Sequence, residues 1–154
     1  PNRVTQLPYV TMRSKGSIYQ GGINVPMVIS GLGVNRMGER EAALIHTTDL
    51  FATIAEISGV SIQEINNSKS FYDLLSNSNA TKREFVYTER SQNRVSYAIR
   101  NSSYKLIVHE NGGQEFFNLL EDPYETNDLI GTTLSSSASS AKNDLELEAT
   151  NIRM

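Results

Sequence analysis

The amino-acid sequence predicts an α/β fold, on three observations. A β-branched apolar run covers Ile23 to Ser30, an amphipathic helix pattern runs from Thr48 to Ser58, and strand-like runs separated by hairpin turns follow residue 83. A chain of 154 residues has the length of about one domain, or of one domain with a small appendage. Leu, Ile, Val and Phe make up about a quarter of it, above the roughly one-fifth level below which chains tend to stay disordered.

The elements follow in chain order. Pro1-Asn2-Arg3-Val4 has no initiator Met, no basic segment and no apolar leader, and reads as a chain cut from something longer. Residues 1–14 are mixed and unpatterned. Lys15 to Gly22 is punctuated by glycine, and Gly21 and Gly22 allow positive φ and close backbone approach. The length and β-branching of Ile23 to Ser30 predict a buried strand, with Pro26 near its start or at an edge. Ala43-Leu44-Ile45 reads as a short strand or bridge.

In the helix from Thr48 to Ser58, Leu50, Ile54 and Ile57 recur at i, i+4 and i+7 beside Phe51 and Ala55, which makes one apolar face. Asp49 suits the positive end of the helix macrodipole, and Gly59 stands where a left-handed residue ends a helix. Residues 61–82 are rich in Ser and Asn and read as a polar linker, with a helical turn at Phe71 to Leu75. Strands are predicted at Glu84–Thr88, Val95–Ile99, Tyr104–Val108 and Glu115–Leu119, joined by turns at Asn101-Ser102-Ser103 and Asn111-Gly112-Gly113. Together they make a small antiparallel meander over residues 83–134. Asp122-Pro123-Tyr124-Glu125 is a turn signal. Residues 135–154 read as a mobile Ser/Ala tail with a short helix over Asn143 to Ile152.

Several chemistries are excluded. With no Cys there is no disulfide, no Cys-ligated zinc, no iron–sulfur cluster and no cysteine nucleophile. A net charge of −3 argues against a nucleic-acid footprint, and no apolar run reaches the roughly 18 residues of a membrane span. No G-x-S-x-G, Walker A or G-x-G-x-x-G motif occurs. His46 and His109 lie in no metal-ligand spacing and read as structural or surface residues. Glu121, Asp122, Glu125 and Asp128 cluster without the alternating ligands of a calcium loop, and read as a solvated turn. The remaining candidate is Lys15, which its residue type alone leaves either as a solvated lysine, the commoner case, or as an anion contact at the mouth of the Gly-Gly turn.

Four segments carry a family resemblance. Lys15-Gly16-Ser17-Ile18-Tyr19-Gln20-Gly21-Gly22-Ile23-Asn24-Val25-Pro26 resembles the K-x-x-x-Y-E-G-G-x-x-V-P segment of the type I sulfatases, arylsulfatase-like members of the alkaline phosphatase superfamily. His46-Thr47-Thr48-Asp49-Leu50-Phe51-Ala52-Thr53-Ile54, with Gly59, is similar to their H-x-x-D-L-x-P-T helix. Tyr104-Lys105-Leu106-Ile107 resembles their Y-K-L-I strand, and Phe117-Asn118-Leu119 with Asp122 to Leu129 resembles their L-Y-D-L…D-P-x-E-x-x-N-L ending. The four stand in the family's order over residues 13–130. Gln20 replaces the family's Glu, and Ala52 its Pro.

The resemblance implies the C-terminal part of an alkaline-phosphatase-like sulfatase fold. Residues 1–60 would be a piece of the large mixed-sheet domain, and the small antiparallel sheet with a helix the C-terminal subdomain. It implies a parent enzyme that hydrolyses sulfuric esters of saccharide or aryl type, and a periplasmic or secreted location. The alternatives are a phosphoester hydrolase or transferase of the same superfamily, or a non-catalytic binding module. The family's formylglycine arises in a C/S-x-P-x-R motif, which none of Pro1, Pro8, Pro26 and Pro123 completes. Formylglycine and calcium are therefore implied for the parent only, and the chain alone is expected to be inactive. The resemblance makes Lys15 the sulfate contact, Tyr19, Gly21, Gly22 and Pro26 the structural turn beside it, and Asp49 and Thr53 helix-start and packing residues. An apolar strand edge left uncovered predicts self-association.

Overall fold

The computed structural model describes residues 10–63, 67–80, 83–91 and 95–154. Among these, residues 10–26 and those from 87 to 154 form one compact unit, and those from 27 to 86 the other. The sequence-drawn boundaries differ, since residues 10–26 group with the C-terminal sheet and residues 61–82 with the helix before them.

The discontinuous unit is built on a four-stranded sheet in the order β1 (Val86–Arg90), β2 (Ser96–Arg100), β3 (Tyr104–Val108) and β4 (Gln114–Asn118). β3 pairs antiparallel with both neighbours, with Ala98 opposite Ile107 and Lys105 opposite Phe117. Period-two alternation sorts its side chains. Ala98, Ile107 and Phe117 share one face and form a core cluster with Ile18 and Leu119. Ile99, Leu106 and Phe116 point to the other face, and all three are fully buried. Burial on both faces explains why β3 reads as an unbroken apolar run after Lys105.

The hairpin turns are where the residue types place them. The Asn101 side-chain oxygen accepts from the Ser103 and Tyr104 amides at 2.9 and 2.7 Å. Asn111 accepts from Gly113 N at 3.0 Å, and Gly112 takes a φ of +80° that a Cβ would strain.

The second face is covered by α3 (Ser136–Arg153), whose Ala138, Ala141, Leu145 and Ala149 are buried. The mobile tail expected over residues 135–140 is corrected here. Ser135 caps the helix, its hydroxyl accepting from Ala138 N at 3.2 Å, and the small residues let the helix lie close on the sheet. Its last turn is tied down by Arg153, which donates to the Tyr87 hydroxyl at 2.7 Å and lies 4.5 Å over the Tyr97 ring.

The unit of residues 27–86 is held mainly by polar bonds. Its helix, α2 (Asp49–Ile57), ends at Gly59 with φ +69°, as the pattern predicts. The burial is reversed from the expected apolar face. Asp49 and Thr53 are buried, while Leu50, Phe51, Ile54 and Ile57 are 38–60% exposed. The reason is a set of partners that reach for polar atoms. Thr53 Oγ1 donates to Asp49 O and accepts from Phe71 N at 3.1 Å, and Ser68 Oγ donates to Thr48 O and accepts from Ala52 N. Residues 61–82, expected as a linker, thus supply the buried Ser68, Phe71 and Leu74 beside α2. Leu44 makes an isolated antiparallel bridge to Arg83, the bridge expected of that segment.

The strand expected over Ile23–Ser30 is absent. Ile23 closes a short helix, α1 (Gln20–Ile23), and residues 24–30 are irregular, with Val25 and Val28 75% and 93% exposed. A β-branched run has no strand without a ladder partner, and none pairs with it among the described residues.

Candidate functional site

Lys15 stands on a tight turn after a 3-10 turn at Thr11–Arg13. Ser17 N donates to Ser14 O at 3.0 Å, and Gly16 takes a φ of +82° that completes the reversal. The Lys15 side chain is exposed and makes no ion pair among the described residues. It is a solvated cation on a backbone that its neighbours hold.

Gly21 and Gly22 provide the first support, for a reason other than the one expected. Neither has a positive φ. Instead α1 lies against the turn so closely that a Cβ on Gly22 would sit 2.3 Å from Ser17 O and 2.7 Å from Ser14 O. A Cβ on Gly21 would meet Arg13 O at 2.6 Å. Two backbones touch here where only glycine fits. Pro26 lies in the exposed chain beyond α1, apart from this contact.

Tyr19 provides the second support. Its ring meets Phe117 edge-on at 6.4 Å and lies 4.7 Å beneath the Arg13 guanidinium. Its hydroxyl donates to Glu115 Oε1 at 2.5 Å. Burial, and then the Glu115 carboxylate, push the phenol well above its ordinary range, so Tyr19 remains a protonated donor. Glu115 also meets His109 Nε2 at 2.8 Å and Arg13 at 3.5 Å. His109 Nδ1 lies 3.4 Å from Ser96 Oγ. This order suggests a nucleophile relay, but Ser96 is 8% exposed and the last distance is long, so the array reads as a structural anchor.

Glu125 provides the third support. Its Oε2 accepts from Gln20 N, at the start of α1, at 2.6 Å, and its Oε1 accepts from Lys105 Nζ at 2.5 Å. Both side chains are essentially inaccessible, at 0% and 1% exposure. Burial pulls the Lys105 ammonium down to about 8 against the opposing pull of Glu125. The solvated acidic turn expected here is corrected for three of its four carboxylates, those of Asp122, Glu125 and Asp128, while Glu121 is exposed. Asp122 accepts from Thr126 Oγ1 and Asn127 N, and Asp128 from Phe116 N and Ile130 N. Glu125 itself sits at φ +58°, a conformation rare for a side chain of its size. No sequence signal paired Lys105 with Glu125.

His46 is structural. Its ring nitrogen lies 2.9 Å from Thr48 Oγ1, and its amide donates to Asp49 Oδ2 at 2.7 Å. Asp49 also accepts from Lys69 N and takes both Nε and Nη2 of Arg83. Among the described residues, no three His, Asp or Glu are placed to hold a metal ion. These residues do not form a calcium site, and with no Cys there is no cysteine precursor of formylglycine.

The fold has known relatives. A family model described as N-sulphoglucosamine sulphohydrolase, C-terminal, matches residues 11–151. The chain belongs to this sulfatase family. An arylsulfatase of Clostridium perfringens (strain 13 / Type A) is 26% identical over 123 residues, covering 77% of this chain and 26% of the relative. Arylsulfatase K of Mus musculus is 23% identical over 128 residues, covering 75% of this chain and 23% of the relative. The chain thus spans about a quarter of the length of these curated relatives. Among solved structures, a 2-O GAG sulfatase superposes with a TM-score of 0.66 at 19% identity, over 80% of this chain and 29% of that one. A protein solved in complex with its substrate D-glucosamine-2-N,6-O-disulfate superposes at 0.60 with 21% identity, over 68% of this chain and 24% of that one. These likenesses establish the fold as the C-terminal part of the sulfatase architecture, as the resemblance implied.

Proposed function

We propose that this chain is the C-terminal part of a sulfuric-ester hydrolase in which Lys15 binds the sulfate group of the substrate. The observation that carries the reading is the exposed ammonium, without an ion pair among the described residues, on a turn braced by Gly21, Gly22 and Tyr19. An ammonium offers three donors and a full charge to sulfate oxygens, and it gains in the transition state as negative charge moves onto the leaving oxygen. A braced backbone holds that charge in place before the substrate arrives. The nucleophile and the cation are supplied by polypeptide outside these residues. A sulfated saccharide is the favoured substrate class, supported by two fold neighbours, one solved with a glucosamine disulfate and the other a 2-O GAG sulfatase.

The test is Lys15→Ala in the full-length polypeptide that carries this chain, assayed with a chromogenic aryl sulfate and with a sulfated glucosamine. kcat/KM should fall by about 10²–10³, with the melting temperature unchanged. Lys15→Arg should restore only part of the loss, because a planar fork does not place its charge where the ammonium sits. A kcat/KM within twofold of the parent enzyme in Lys15→Ala would overturn the reading.

A further inference from the structure

The buried Lys105–Glu125 pair is not needed for stability of this kind, since well-packed apolar residues commonly serve as well or better. Its second contact suggests what else it does. One Glu125 oxygen takes the Lys105 ammonium, and the other takes the Gln20 amide at 2.6 Å. Gln20 opens α1, whose Gly21 and Gly22 lie in backbone contact with Arg13, Ser14 and Ser17. Lys15 sits between those contacts. A continuous path of short, stiff contacts therefore runs from Lys105 through Glu125, the Gln20 amide and the glycine pair to the turn carrying Lys15.

We propose that Glu125, oriented by Lys105, is a positioning residue for the Lys15 ammonium, acting through the Gln20 amide. The inference rests on the sulfate contact proposed for Lys15. Glu125 touches no substrate. It fixes where α1 begins, and α1 fixes the turn. Lys105 holds one carboxylate oxygen so that the other faces Gln20 N, a role a neutral or mobile acceptor performs less well. The strained backbone at Glu125, with φ +58°, fits a carboxylate whose direction matters more than its local conformation.

A double-mutant cycle of Lys15→Ala and Glu125→Gln tests this, with kcat/KM for 4-nitrophenyl sulfate measured in the full-length polypeptide. Glu125→Gln keeps the side-chain shape and a neutral acceptor. It should lower kcat/KM by about tenfold, chiefly through kcat, and by less than twofold in the Lys15→Ala background. Amide exchange at Gln20 should quicken in the same variant.

Gln20→Pro is the second variant. It deletes the donor while keeping the Glu125 and Lys105 side chains, its ring carbon displacing the Glu125 oxygen that met the amide, at the first helical position, where proline is tolerated after the extended Tyr19 at φ −79°, ψ 164°. It should show the same loss and the same dependence on Lys15, and it keeps the test decisive if Glu125→Gln does not fold. Equal losses with and without Lys15 would make Glu125 merely structural and overturn the inference alone. Faster exchange at Gln20 with unchanged kcat/KM would overturn it as well. A silent Lys15→Ala would instead remove the sulfate contact, and this inference with it.

Discussion

The Tyr19 hydroxyl donates to a Glu115 oxygen at 2.5 Å across 96 residues of sequence. That bond, with Ile18 packed among Ala98, Ile107, Phe117 and Leu119, joins the Lys15 segment to the sheet. The site is therefore as rigid as the sheet it is docked on, and the expected outcomes below follow from this arrangement.

Gly22→Ala should be among the most damaging small substitutions. Its Cβ would meet backbone oxygens at 2.3 and 2.7 Å, and backbone cannot step aside as a side-chain tip can. Overpacking of this kind costs about 1–3 kcal/mol or more, read as a drop in the urea midpoint. In the full-length enzyme the same variant should also lose activity. Gly16→Ala meets no neighbour and should cost less, through its φ of +82° alone.

Asp49 links stability to pH. Burial raises its carboxyl pKa, but bonds from Arg83, Lys69 N and His46 N outweigh that, and the net pKa lies below its ordinary value. A folded pKa below the unfolded one gives stability that is complete above the unfolded value of about 3.9 and is lost as pH falls through the folded value. Acid denaturation followed by circular dichroism should therefore show a loss below about pH 4 that Asp49→Asn reduces, the remainder coming from carboxylates such as Asp122 and Glu146 whose pKa values are also lowered. At neutral pH Arg83→Ala leaves a buried carboxylate without its cation and should cost about 3–5 kcal/mol.

Lys105→Met should likewise cost about 3–5 kcal/mol by leaving the Glu125 charge bare, whereas the paired Lys105→Met/Glu125→Leu should come within about 1–2 kcal/mol of the parent chain. Chemical denaturation of the two variants side by side reads the difference. A paired variant as unstable as the single one would show that the charges, and not their mismatch, hold the fold.

Leu145→Ala, at a fully buried position of α3, should cost about 2–5 kcal/mol, and Ser135→Ala about 1 kcal/mol through loss of the cap. Thermal melts of the two should rank in that order.

Much of the sheet was legible in the sequence because β-rich runs alternate with Asn-led turns. Tyr104–Val108 is placed to the residue, and the other strands shift by one or two positions. The second half of α3 lies where a helix is expected, but its first half is hidden because Ser and Ala look like low complexity, although Ala138, Ala141, Leu145 and Ala149 lie on one helical stripe. For α2, periodicity showed that a helix exists but not which face has neighbours, and Ser68 and Phe71 cover Asp49 and Thr53 instead. Lys15, Tyr19 and the glycines could be named from local motif. Lys105 and Glu125 also fall in quoted motifs, but their pairing could not be read, because 20 residues separate them and neither carries a mark of burial.

The discontinuity of the sheet unit has a consequence for synthesis. Tyr19 and Ile18 emerge from the ribosome long before Glu115 and Phe117, their partners. At about 5–20 residues per second, the interval is roughly 5–20 s. During that time the Lys15 turn has only its local contact with Gly21 and Gly22, and Ile18 has no core to enter. The Lys15 segment thus docks late, by closure of a long loop onto a sheet that must already be paired. Substitutions that slow pairing of β3 with β4 should lower the yield of active enzyme even where the folded protein is unharmed.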